Sequence, residues 1–223
     1  MSHRGQYANG DTYPLPADWS PLDESVLKNA LEYARAALTD DAMRRLQSFY
    51  DPRGEYAGTS FLTAQPNLPG SVTAADLYAV SRLSITVTNL QGRLLLENVD
   101  CVAKTQKLLA AIPDDLTIIN LTPAGLTAMW DLYHHFRTLL ATETRDSNYW
   151  VFAAKLCARK RPASFPVRDS VVCGYLSGGQ RLASSADQAR QGRLGWFSSD
   201  IQVFAYVATD AEGMNLLHTL KHA

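Results

Sequence analysis

Apolar residues recur at helical spacing along most of the chain. Leu22, Val26, Leu27, Ala30, Leu31, Ala34 and Leu38 fall on one face, and Ser20-Pro21 precede them. That pairing predicts a helix with serine as N-cap and proline at its first position, and Asp23 and Glu24 set against the positive end of the dipole. Met43, Leu46 and Phe49 predict a short second helix from Asp40 or Asp41, ended by Asp51-Pro52-Arg53-Gly54. Thr73 and Asp76 have capping-box spacing, with aspartate in place of the usual glutamate, ahead of Leu77, Val80 and Leu83. Thr88 or Asn89 starts another helix, which Gly92 weakens. Val99–Ile112 reads as the next. After Thr122-Pro123, the stripe Leu126, Met129, Trp130, Tyr133, Phe136, Leu139, Leu140 predicts the longest and most central helix. Further helices are expected over Tyr149–Arg159, through Tyr175 up to Gly178-Gly179, and over Asp200–Thr209 behind Ser198 or Ser199. A last one carries Met214, Leu217 and Leu220.

Strand patterns are almost absent. Leu116–Leu121 has the branched residues of a strand but suits a buried connector equally well. Without repeated strand–helix units, a doubly wound α/β fold is excluded. Residues 52–72, rich in proline and glycine, form the longest loop and a candidate hinge or binding loop. Residues 1–19 show no period and read as an irregular arm that Tyr13 and Trp19 pin to the body. The expected fold is mainly α: an arm over 1–19 and a single multi-helix globular domain over 20–223.

Composition changes this picture little. With 46% apolar and 19% charged residues the chain can bury a core. Three cysteines, at 101, 157 and 173, suit neither a disulfide scaffold nor a four-ligand zinc site, and no metal or other cofactor is expected. The first twenty residues lack the apolar core of a secretory signal, and no long apolar run suits a membrane span. A soluble, cytoplasmic protein is the expectation.

Charge is more informative. The net charge is only −1, yet residues 150–195 hold eight cations against Asp169 and Asp187, a local +6 that leaves −7 elsewhere. Lys155, Arg159, Lys160, Arg161 and Arg168 are therefore candidate phosphate contacts, with DNA or another polyanion as partner. The plainer explanation is that Arg159, Lys160 and Arg161 end a helix, where the dipole favours cations. Asp169 is the candidate catalytic carboxylate. It sits where an N-cap accepts backbone N–H bonds, and an anion there can stabilise positive charge developing on a substrate. His134 and His135 are adjacent and so diverge on a helix, while Asp131 and His135 are four apart and can share a face. No nucleophile elbow, dinucleotide fingerprint or phosphate loop is present.

Three stretches, Tyr56–Phe61, Val72–Val80 and Ala154–Pro162 leading into Phe165–Val172, resemble in their order an actinobacterial family of unknown function. The third is also similar to helix-hairpin-helix DNA glycosylases. These carry a glycine hairpin, a helix, and then a Pro-Val-Asp segment whose aspartate caps the next helix. The resemblance implies a glycosylase-like helical C-terminal half with Asp169 in the place of that aspartate. Two family features differ. Val151 stands where the nucleophilic lysine of bifunctional enzymes would be, and Ser147-Asn148-Tyr149 replaces the hairpin glycines. The implied function is nucleic-acid association by a degenerate or monofunctional glycosylase-like protein. The alternative is a non-enzymatic protein-interaction module that uses the basic patch.

Overall fold

The computed structural model describes residues 3–38, 41–56, 58–142, 149–179, 191–210 and 215. Among them the protein is mainly helical, as its pattern predicts. The hairpin β1 (Arg4–Gln6) and β2 (Thr12–Pro14) precedes ten helices among these described residues. These are α1 (Glu24–Ala37), α2 (Asp41–Tyr50), α3 (Gly58–Thr63), α4 (Ala74–Ser81), α5 (Asn89–Leu96), α6 (Val99–Ala110), α7 (Pro123–Leu140), α8 (Tyr149–Lys160), α9 (Ser170–Leu176) and α10 (Arg193–Ala208). The expected helix with Met214, Leu217 and Leu220 lies outside the described residues. The chain forms two compact units interleaved in sequence. The first takes residues 1–44, 116–127 and 168–223, and the second takes 45–115 and 128–167.

In the first unit the expected irregular arm is an antiparallel hairpin in which Gly5 faces Tyr13. Asn9-Gly10 makes its turn, with Gly10 at φ +92°, a conformation glycine adopts without strain. Tyr7 and Tyr13 pack at 4.6 Å between ring centroids, and the Tyr7 hydroxyl accepts from the Leu121 N–H at 3.0 Å. Trp19 is buried edge-on against Phe197. Helix α1 packs on α9 and α10 through Leu22, Leu27, Ala30, Leu176, Val203 and Tyr206.

Helix α1 starts at Glu24 rather than at Pro21, with Asp23 as an N-cap that makes no side-chain cap bond. The reason lies in α10. The amide of buried Gln202 accepts from Leu22 N–H at 3.1 Å and donates to the Ser20 carbonyl at 3.0 Å. This satisfies the backbone ahead of the helix, a tertiary contact that overrides the local start signal. Helix α10 itself begins at Arg193, well before Asp200. Ser198 and Ser199 do not cap it; both are buried and donate back to the Gly195 carbonyl, at 3.1 and 2.7 Å. Leu116–Leu121 forms a connector of turns whose end residues are buried.

In the second unit α4 packs against α8, α3 and α5, and α5 against α6. Thr73/Asp76 and Thr88/Gln91 both form complete capping boxes, so Gly92 does not prevent α5. Within 52–72, expected as a loop, α3 forms around buried Phe61. On α7, Met129, Leu132, Phe136 and Leu140 are fully buried, whereas Trp130 is only partly so.

Candidate functional site

The basic run at the end of α8 faces inward. The last turn of α3 and the irregular stretch that follows it, up to residue 69, leave carbonyls without helical partners, and these need donors. Arg159, Lys160 and Arg161 supply them in register. Arg159 donates to the carbonyls of Phe61 and Leu62, both at 2.7 Å, and to Ala64. Lys160 donates to Asn67 Oδ1 at 2.8 Å and to the Leu68 carbonyl at 2.7 Å. Arg161 reaches the carbonyls of Pro69 at 2.8 Å and Leu109 at 2.7 Å. Successive cations thus fasten successive parts of one segment.

Asp76 supplies the counter-charge. Its Oδ1 accepts from Arg159 Nε at 3.0 Å, and its Oδ2 from Lys160 Nζ and from the Thr73 N–H, both at 2.9 Å. The Asp76 and Lys160 side chains are fully buried and that of Arg159 is 2% exposed. Burial pushes the Lys160 pKa down, while the hydrogen bond and charge of Asp76 pull it back up. A buried carboxylate with three N–H donors and two cationic partners is satisfied; with any of them gone, charge would be left uncompensated.

The other predicted cations are also engaged. Lys155 Nζ donates to the Leu83 carbonyl at 2.9 Å, just beyond the end of α4. Buried Arg168 pairs with Asp200, its Nε at 3.0 Å, and its guanidinium lies 5.0 Å over the Phe197 ring. Each of the five residues is engaged within its own unit. Four join the internal frame of the second unit, and Arg168 joins that of the first. Arg181 and Arg190 of the basic segment, and Asp187, lie outside the described residues, as do Ser147 and Asn148.

Asp169 is the N-cap of α9, as its position predicts. Its Oδ1 accepts from the N–H of Val171 at 3.0 Å and of Val172 at 2.9 Å, and the residue is half-buried. Val151 is buried in α8.

One chemically mixed cleft was only partly anticipated. Asp100, Cys101 and Lys104 of α6 face His134, His135 and Thr138 of α7 around a cavity of about 340 Å³. His135 is buried and its Nε2 lies 3.0 Å from Thr105 Oγ1. Desolvation, then the charges of Lys104 and His134, push its pKa down to about 4. His134 is exposed and stacks on Trp130, with ring centroids 5.0 Å apart. Asp131 is exposed, and no hydrogen bond or ion pair joins it to His135 among the described residues. The i, i+4 spacing of Lys104 behind Asp100 was the available signal for the α6 side, but sequence alone does not show which helix lies opposite. Among the described residues, no group of three or more histidine, cysteine or acidic side chains could hold a metal ion. None of their helices is long and apolar enough to cross a membrane.

This helical chain belongs to a family of unknown function, DUF6308, whose model matches residues 42–212. No curated protein and no solved structure matches it.

Proposed function

We propose that the chain is a nucleic-acid-associated protein of glycosylase-like helical design without lyase chemistry, in which Asp169 meets the substrate. The observation that supports this is the placement of Asp169. The chain leaves α8, passes through Pro166-Val167, and puts this carboxylate at the N-cap of the following helix. That is the arrangement the glycosylase resemblance implies. Held by two backbone N–H groups, the anion is fixed in orientation before any ligand arrives, and could stabilise an oxocarbenium-like sugar or orient a water. Val151 at the nucleophile position, and the bond that holds Lys155 to Leu83, support the loss of Schiff-base chemistry. In this reading the cations of 155–168 are frame, not phosphate ligands.

A second reading, a non-enzymatic interaction module, is favoured by that same frame. The five cations and their two buried partners, Asp76 and Asp200, hold a surplus of three positive charges within a net charge of −1. The rest of the chain thus carries −4, which suits a neutral or basic partner better than a polyanion.

A binding and base-excision screen separates the two. Single- and double-stranded DNA, intact and carrying damaged bases, is titrated with protein at low ionic strength. The first reading expects saturable binding that favours a damaged duplex, and Asp169→Asn, which keeps a capping oxygen, abolishes that preference or any excision. Absence of salt-dependent binding to every probe overturns it in favour of the interaction module.

A further inference from the structure

Every residue that lines the cleft between α6 and α7 belongs to the second unit, whereas Asp169 belongs to the first. Lys104 differs from the cations of α8 in one respect. It is exposed, and among the described residues no carbonyl or carboxylate takes its ammonium in a hydrogen bond or ion pair. Asp100 stands one turn back, in the first turn of α6, where the helix dipole favours an anion. Across the cleft, His134 offers an exposed imidazole and Thr138 a hydroxyl, both on the same face of α7.

We propose that this cleft binds a small oxyanion, a phosphate monoester or a compact carboxylate, with Lys104 as the charged anchor and His134 and Thr138 as flanking donors. The volume, about 340 Å³, is that of a small-metabolite site. The floor suits this ligand. His135 is tied to Thr105 and stays uncharged at neutral pH, so it adds no like charge beside Lys104. The positive charge comes from Lys104 at the rim, with Asp100 one turn back as the acidic group of the lining, and an oxyanion can reach the ammonium without being fully desolvated.

NMR of the histidine Cε1–H groups tests this on the full chain. Inorganic phosphate and, separately, succinate are titrated in at constant ionic strength. At least one is expected to shift the His134 and His135 resonances saturably. Lys104→Ala should weaken that binding about tenfold, the loss of one charge-assisted hydrogen bond, and Lys104→Arg should restore it. Thr138→Val should weaken it less. A phosphate response alone assigns a phosphate site, and a succinate response alone a carboxylate site. Absence of a saturable shift with either probe, or a shift that Lys104→Ala leaves unchanged, overturns the proposal.

Discussion

Asp76 and Arg159 stand 83 residues apart in sequence, and their side chains meet at 3.0 Å with almost no exposure to solvent. Asp76 closes the capping box of α4 and is also the counter-ion for the end of α8. One carboxylate thus fixes where a helix starts and how it is joined to its neighbour. The shorter aspartate at this position, where glutamate is usual, brings the charge close to the α4 backbone while leaving an oxygen for each cation.

Asp76→Ala is accordingly expected to cost about 3–5 kcal/mol, because it strands two buried cations as well as removing a cap. Asp76→Asn, which keeps an acceptor but no charge, should fall between the two. Urea denaturation measures both. A loss below about 1 kcal/mol for the alanine variant would mean that water reaches Arg159 and Lys160 readily.

His135 links stability to pH. Its folded pKa of about 4 lies below the ordinary value of 6.5, so the unfolded chain binds a proton first as pH falls. The contribution is complete above 6.5 and is lost progressively from there toward 4, up to about 3 kcal/mol by linkage. Difference curves between wild type and His135→Gln should show this loss in the wild type only. Parallel curves would indicate that the imidazole is protonated within the fold.

On α7, Leu132→Ala should cost about 2–5 kcal/mol, because it empties a fully enclosed site. Trp130→Ala should cost less, despite the larger side chain, because Trp130 is only partly buried and stacks on exposed His134. The reverse order in thermal or urea unfolding would place the apolar stripe one residue out of register.

Lys155 should give no borohydride-trapped adduct with abasic-site DNA. Its ammonium is bonded to the Leu83 carbonyl, and Val151, where a lyase lysine would stand, is buried. An adduct that disappears in Lys155→Ala would make the protein a lyase.

Much of this fold is legible in the sequence because the strongest signals are local. The spacing of apolar residues on α7, the box at Thr73 and Asp76, and the cap at Asp169 each depend on residues within a few positions. Asn9-Gly10 was a local hairpin signal too, although so few flanking residues alternate that the segment reads as irregular. What sequence does not show is a partner far along the chain. Gln202 holds Ser20 and Leu22 and so displaces the start of α1. Likewise, a basic run looks the same whether it faces solvent or a row of carbonyls nearly a hundred residues away. The Asp76–Lys160 pair and the cleft opposite Lys104 both depend on such distant packing.

The double variant Lys160→Glu with Arg161→Glu decides whether the end of α8 is an internal clasp. Equilibrium unfolding in urea reads it. A loss of at least about 3–5 kcal/mol, or no folded baseline at all, is expected, because a buried glutamate would face Asp76 and the carbonyls of Leu68 and Pro69 would lose their donors. A double variant with the wild-type midpoint and slope, changed only in its retention of DNA at low salt, would contradict it and make these residues an exposed phosphate-binding surface.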